Sequence, residues 1–145
     1  MLFLLLATTS MRRGEVVGLR WTHVDLHREM LSVVHTVSTM KGERIFGEPK
    51  TARSRRNVYL DTATVTELRA HRARQKEAAL SAGEAWTNEL GLVFTDELGG
   101  VLHPDYVTRD FDRRIERLGL PRIRLHDYAD LRVMSTSAQR RCCVS

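Results

Sequence analysis

Three short segments of the chain carry side chains that suit the chemistry of a phosphodiester. Arg12 precedes Gly14 and Glu15, Lys50 opens a basic run, and His126 follows a Gly-Leu-Pro sequence. The planar fork of an arginine binds two phosphate oxygens and stays charged, whereas lysine and histidine can also move a proton. Taken singly, each residue has a plainer interpretation: a solvated arginine, a lysine on the phosphate backbone, a histidine that is only a hydrogen-bonding group.

The basic run strengthens the connection to phosphate. Four cations fall within seven residues, namely Lys50, Arg53, Arg55 and Arg56, in a chain of 145 residues with a net charge of +5. Such a surface favours a polyanionic partner, although a basic solvated face is the simpler alternative. We predict that these four side chains contact the backbone of double-stranded DNA, which attracts cations irrespective of its base sequence.

Length, composition and cysteine content limit the number of domains and the kinds of site that the chain can form. The length suits one domain with a hydrophobic core, and 42% hydrophobic with 28% charged residues is ordinary for a globular protein. The two cysteines, Cys142 and Cys143, are adjacent and form neither a disulfide framework nor a zinc ligand set, so we expect a reducing cytoplasmic setting and no metal. The apolar run at residues 1–7 is too short to cross a membrane, and it is more typical of the back half of a buried helix.

The elements that must position these residues can be read from local patterns. Apolar spacing and capping residues predict helices at about 2–8, 12–19, 62–82 and 105–118, with a compact turn at 21–26. Alternating or β-branched runs predict strands at 30–38, 56–60 and 92–95, with a turn at 41–43. The sequence therefore predicts a mainly helical α+β domain with a small antiparallel sheet over residues 1–134, followed by an irregular tail at 135–145.

Four stretches, in this order, resemble the catalytic domain of the tyrosine recombinase (phage integrase) family: 11–25, 49–56, 92–95 and 119–127. The resemblance implies that Arg12 is the first catalytic arginine, supported by Glu15. It also implies that Lys50 gives a proton to the departing 5′ oxygen, and that His126 handles the proton of the nucleophile. Members of this family break and rejoin double-stranded DNA through a phosphotyrosyl intermediate, together with other recombinase subunits and without a metal or other cofactor.

The sequence departs from the family pattern immediately after His126. Ala129 stands where the family has its second phosphate-binding arginine, and Asp130 stands where a histidine commonly follows. Loss of one preorganised donor typically slows a reaction by about 10²–10³. Ser10 is a milder departure, since the family tends to have glycine before its Met-Arg pair.

The nucleophile is the other departure. The family's tyrosine lies well downstream of the histidine box, and the tyrosines of this chain are Tyr59, Tyr106 and Tyr128. We interpret Tyr59 and Tyr106 as packing residues, and Tyr128 as a replacement for an apolar residue of the box.

Together these features predict a truncated, catalytically inactive integrase domain that retains DNA binding. The expectation is that an N-terminal DNA-clamping (core-binding) domain and the C-terminal tyrosine segment are absent. Two alternatives stay open: a non-enzymatic DNA-binding module that competes with a full-length recombinase, and a decayed gene product without function. A hydrolytic nuclease is a more distant alternative, because the sequence offers no acidic metal cluster.

Overall fold

A computed structural model describes residues 1–40, 42–47, 55–125 and 127 of the chain. These residues form an α+β fold, as the sequence predicted. The helices are α1 (Leu2–Thr9), α2 (Arg13–Val17), α3 (Thr62–Ala82) and α4 (Pro104–Arg117), and single 3-10 turns occupy Trp21–His23 and Gly83–Ala85. The strands are β1 (Val24–Asp25), β2 (Met30–Val33), β3 (Thr36–Met40), β4 (Glu43–Gly47) and β5 (Arg56–Tyr59).

The described strands form two antiparallel sheets rather than one. A three-stranded sheet has the order β1-β2-β5, and β3 pairs with β4 in a separate hairpin. Met40 lies opposite Glu43 in that hairpin, and Gly42 takes a positive φ of 83° in the turn, as tight hairpins require. The single strand predicted at 30–38 was therefore wrong, because the chain leaves the first sheet after Val33 and enters the second at Thr36.

Helices α3 and α4 confirm the two longest helices that the sequence predicted, at 62–82 and 105–118. The Asp61 carboxylate accepts a hydrogen bond from the Thr64 backbone N–H at 2.8 Å, so it caps α3 as its residue type indicates. Pro104 occupies the first turn of α4, where its missing N–H leaves no hydrogen bond unmade. Gly119, with φ of 63°, follows the end of α4.

The segment 92–95 is buried but is not a regular strand. Leu92 pairs with Arg20 and Thr95 with Val101 as isolated bridges, and the Val93 N–H donates to the Leu19 carbonyl at 2.9 Å. The apolar run therefore predicted the burial of this segment correctly, but its pairing extends over single residues only.

One hydrophobic core holds the helices and both sheets together. Its largest fully buried side chains include Leu5 and Leu6 of α1, Leu31 of β2 and Leu68 of α3. Helix α1 packs against α2 and α3, and α4 packs against α2 and β3. Among the described helices, none is both long enough and apolar enough to span a bilayer. The short helix α2, which follows Arg12, is thus fixed on several sides.

Candidate phosphate-binding site

The backbone turns sharply between α1 and α2, and this turn sets the position of Arg12. Ser10 ends α1 in the left-handed region, with φ of 51° and ψ of 29°. Glycine adopts this conformation with least strain, which gives a physical reason for a glycine preference at this position. Arg12 then takes an extended conformation as the N-cap of α2. Its side chain is 71% exposed and is therefore accessible to a ligand.

The buried side chain of Glu15 stabilises this turn through hydrogen bonds. Its carboxylate is only 3% exposed and accepts a hydrogen bond from the Arg12 backbone N–H at 2.8 Å. Arg56 of β5 donates to both carboxylate oxygens, from Nη1 at 3.1 Å and from Nη2 at 2.9 Å. Nη1 of Arg12 adds a longer contact at 3.3 Å. A buried carboxylate in this position ties the first turn of α2 to the three-stranded sheet.

The surroundings of Glu15 favour its charged form. Burial alone would raise the pKa of the carboxyl group. The hydrogen bonds from Arg56 and from the Arg12 backbone, together with the positive charges of both arginines, outweigh burial and hold the pKa below its ordinary value of 4.5. Glu15 is therefore an anion that both arginines share at neutral pH.

A glycine allows α2 to lie directly on the hairpin. A Cβ added at Gly14 would stand 2.4 Å from the Val37 carbonyl oxygen and 2.8 Å from the Thr36 hydroxyl of β3. The backbone of α2 thus approaches β3 more closely than any side chain permits. On its other flank, Nη1 of Arg13 donates to the Thr108 hydroxyl at 2.6 Å and forms an ion pair with Asp105 at 3.1 Å, which links α2 to α4.

Arg12 lines a cavity of about 830 Å³ that lies between α2, α4 and the segment 122–125. Four arginines line it, together with a single described acid, Asp112; the arginines are Arg12, Arg13, Arg122 and Arg124. Its apolar lining comes from Leu6, Met11, Ile123 and Leu125. We call this space the Arg12 cavity. Several guanidinium groups around one partly apolar space suit a bound phosphodiester, since each fork can donate two hydrogen bonds to oxygen.

Comparison with known proteins shows what this chain is similar to. No protein-family model matches the sequence. A tyrosine recombinase XerC-like protein of Caldanaerobacter subterraneus subsp. tengcongensis is 34% identical over 136 residues, which cover 86% of this chain. Over most of its own length the chain is therefore similar to a tyrosine recombinase. It spans 35% of the length of that relative.

Solved structures share the fold of this chain. The Tn1549 transposon integrase in complex with transposon right end DNA superposes with a TM-score of 0.76 at 16% identity, covering 95% of this chain and 45% of that one. The crystal structure of XerA recombinase superposes with a TM-score of 0.66 at 16% identity, covering 91% of this chain and 40% of that one. Both similarities concern the α+β architecture, which supports the predicted fold class.

The structure brings together some of the residues that the tyrosine recombinase resemblance selected. Arg12 and Glu15 are in contact, and Arg56 joins them through Glu15 rather than extending alone from the surface. Arg55 precedes β5 and is exposed. Other sequence-predicted positions lie outside the described residues: Lys50, Arg53, His126, Ala129 and Asp130. Their roles, and the DNA contacts of the basic run, stay predictions.

The described tyrosines are not core residues. Tyr59 on β5 is 80% exposed and Tyr106 on α4 is 47% exposed, so the interpretation of both as packing residues was wrong. Alternation placed Tyr59 on the face of β5 opposite the core, and Tyr106 lies at the edge of the apolar stripe of α4. Neither of these two tyrosines lines the Arg12 cavity.

Sequence reasoning missed two of the arginines in the cavity, Arg122 and Arg124. Their spacing in the stretch Arg122-Ile-Arg124 was a usable signal, because alternate residues of an extended segment point to the same side. Ile123 is partly buried and Arg122 and Arg124 are exposed, as that alternation requires. The described residues contain no group of three or more His, Cys, Asp or Glu side chains that could hold a metal ion.

Proposed function

We propose that this chain binds the phosphate backbone of double-stranded DNA at the Arg12 cavity, as part of a site-specific recombination system. The observation that carries the proposal is the set of four arginines around one cavity that contains a single described acid. Phosphate contacts of this kind position a protein on DNA and do not depend on the base sequence. DNA as the partner makes the cytoplasm the expected compartment.

The relatives point in the same direction. The Tn1549 transposon integrase, which shares this fold, was solved in complex with transposon right end DNA and with circular intermediate DNA. The XerC-like relative is named a tyrosine recombinase. Strand breakage and rejoining, integration or excision of a mobile element, and assembly with other recombinase subunits are the activities that this similarity suggests for an intact protein.

In such a protein each residue of the site has a distinct task. Arg12 would stabilise negative charge on the nonbridging phosphate oxygens, and Glu15 would hold the turn that carries Arg12. Lys50 would give a proton to the departing 5′ oxygen, and His126 would handle the proton of the attacking tyrosine. These roles for Lys50 and His126 rest on the family resemblance.

We further propose that the chain binds DNA without cleaving it. Ala129 offers no charge in place of the second arginine, and Asp130 would repel a phosphate. Arg122 and Arg124 add positive charge to the cavity, so binding can persist where catalysis has been lost. A chain with these properties would occupy recombination sites and compete with a full-length recombinase.

Binding is tested by fluorescence anisotropy on a labelled duplex at several salt concentrations. Log affinity falls linearly with log salt, and each lost phosphate contact lowers the slope by about 0.9. We therefore expect Arg12→Gln to lower the slope by about 0.9 and the double variant Arg122→Gln/Arg124→Gln by about 1.8. Arg113→Gln is the matched control, because Arg113 is exposed on α4 and does not line the cavity.

Cleavage is tested by incubating the chain with a nicked duplex and separating the products under denaturing conditions. A band of protein joined covalently to DNA would contradict the proposed inactivity. Equal salt slopes for the cavity variants and for Arg113→Gln would contradict the proposed binding site. Absence of salt-dependent binding by the unsubstituted chain would remove the DNA-binding function and favour the decayed gene product.

A further inference from the structure

A second basic concavity lies on another part of the molecule. It has a volume of about 710 Å³, between the turn and strands of the three-stranded sheet and one face of α3. Three cations of α3 line it, Arg69, Arg72 and Lys76, and it shares no lining residue with the Arg12 cavity. We call this space the α3 groove. The roles that the family resemblance assigns do not include any of these three residues.

The three cations form a row. Residues 69, 72 and 76 fall within roughly 60° of one another around the axis of α3, because an α-helix turns about 100° per residue. The row extends about 10 Å along the axis at 1.5 Å per residue. DNA carries one phosphate per about 3.4 Å of axis on each strand, so the row spans about three successive phosphates.

Two of these cations are held in place by other residues. Nη2 of Arg69 donates to the Leu26 carbonyl at 3.1 Å. The guanidinium carbon of Arg72 lies 5.1 Å from the centre of the Trp21 ring. The Trp21 ring is itself held in place, because its Nε1–H donates a hydrogen bond to Oε1 of Gln75 at 2.7 Å. A guanidinium stacked on an aromatic face keeps its in-plane N–H donors available. Positioned cations lose less conformational entropy when they bind than mobile ones do.

The charge balance of the groove is strongly positive. Asp25 is the single acid among its described lining residues. The Asp25 carboxylate already accepts the backbone N–H groups of His27 at 3.0 Å and Arg28 at 2.9 Å, within its own turn. Ser32 and Thr22 add hydroxyl groups to the lining. The groove thus presents three cations against one acid that its own turn has hydrogen-bonded.

We propose that the α3 groove is a second binding site for the phosphate backbone of nucleic acid, separate from the Arg12 cavity. A straight row of cations suits a polymer whose charges repeat at a regular interval. An acidic peptide presents carboxylates at less regular positions, and it is the competing ligand in the test. With two such sites, one chain contacts either two segments of a bent duplex or two duplexes.

The test compares two triple variants that lose the same net charge. The groove variant is Arg69→Gln/Arg72→Gln/Lys76→Gln. The control is Arg74→Gln/Arg113→Gln/Arg117→Gln, whose residues are exposed and line neither the groove nor the Arg12 cavity. Arg74 lies on α3 itself, roughly 140° around the axis from Arg69. Affinity for a labelled duplex is measured by anisotropy across a salt series, and circular dichroism establishes that each variant is folded.

We expect the groove variant to lower the slope of log affinity against log salt by about 2.7, as three lost phosphate contacts require. A charge-retaining variant, Arg69→Lys/Arg72→Lys/Lys76→Arg, should keep the slope, and it separates charge from packing. Equal slopes for the groove variant and the control would overturn the proposal. The proposal would also be overturned if the unsubstituted chain bound polyglutamate through the groove while the groove variant bound DNA as the unsubstituted chain does. The groove would then be a site for acidic peptides. Loss of binding in the Arg12 cavity variants alone would leave the proposed function intact and reject the groove.

Discussion

At the scale of single residues, Glu15 is the side chain on which the candidate site depends most, although it cannot itself bind a phosphate. Its carboxylate is 3% exposed and accepts hydrogen bonds from Arg12 and from Arg56. A charge buried this deeply is stable only when it is paired and hydrogen-bonded. The ion pair with Arg56 therefore uses one cation of the basic run to position Arg12, which lies outside that run.

Replacing Glu15 with Gln should destabilise the fold and weaken phosphate binding together. The amide cannot balance the two arginines, and an amide N–H would face the donors of Arg56. Removal of one partner from a buried ion pair costs about 3–5 kcal/mol. Because Arg56 is 33% exposed, water can solvate it in the variant, and we expect a loss of about 2 kcal/mol in the free energy of unfolding.

Urea unfolding of Glu15→Gln, with Glu77→Gln as the control, measures this loss. Glu77 is exposed on α3, so its substitution should leave the free energy of unfolding within about 0.5 kcal/mol of the original. A Glu15→Gln variant as stable as the control would show that the carboxylate does not organise the site.

At the scale of elements, the close approach of α2 to β3 fixes where Arg12 stands. Gly14→Ala should push the two elements apart, because the new Cβ would lie 2.4 Å from the Val37 carbonyl oxygen. Backbone atoms cannot rotate away, and such overpacking typically costs about 1–3 kcal/mol. We expect that loss in urea unfolding, with a weaker affinity for duplex DNA because Arg12 moves with α2.

Gly47→Ala is the matched control for this substitution. A Cβ at Gly47, at the end of β4, meets no described atom within 4 Å, and the φ of Gly47 is not positive. If Gly14→Ala retained both the stability and the DNA affinity of Gly47→Ala, the position of Arg12 would not depend on the contact between α2 and β3.

Elements whose signals are local were predictable, and those that depend on distant partners were not. Helix α3 was found from the cap at Asp61 and from apolar spacing, and α4 from Pro104 and its apolar stripe. Strands β2 and β3 were merged, because alternating burial runs from Leu31 through Val33 to Val37 without revealing a change of partner. Strand β4 was missed for a related reason, since its residues are mostly exposed and carry little alternation.

The same distinction applies to the candidate site. Arg12 and Glu15 are three residues apart, so their contact follows from helical spacing. The contact between Glu15 and Arg56 joins positions 41 residues apart, and the sequence alone gave Arg56 only as a DNA-binding cation. Arg122 and Arg124 reach the cavity because α4 folds back against α2, which no local pattern indicates.

At the scale of the whole molecule, the partly buried histidines His71 and His23 and the buried carboxylate Glu15 make the stability depend on pH. The side chain of His71 extends from α3 toward the segment 92–95, and its Nε2 lies 2.7 Å from the Val93 carbonyl oxygen. Burial lowers the pKa of His71 below its ordinary value of 6.5, more than the Val93 carbonyl raises it, and the N-terminal amine and Arg74 lower it further. Burial and the nearby Arg20 lower the pKa of His23 as well.

These shifts predict acid unfolding in two stages. The folded histidines bind protons less readily than the unfolded ones, so the free energy of unfolding should be highest above pH 6.5 and fall as the pH drops below that value. Glu15 contributes stability above pH 4.5, and that contribution is lost as the pH falls through its lowered folded pKa. Urea unfolding at a series of pH values from about 8 to about 3 resolves the two stages.

Two single variants separate the stages from each other. His71→Gln should reduce the first decline, with the remainder due to His23, and leave the second unchanged. Glu15→Gln should lower stability at neutral pH, keep the first decline and reduce the second, because its amide does not titrate; the remainder is due to Asp25, whose pKa the backbone N–H groups of Arg28 and His27 also lower. One variant that altered both declines, or a single decline in the unsubstituted chain, would mean that the molecule responds to acid as one coupled unit. In the two-stage case, the sheet contact that positions Arg12 persists after the histidines near α3 have become charged, and DNA binding at the Arg12 cavity should survive down to the second decline.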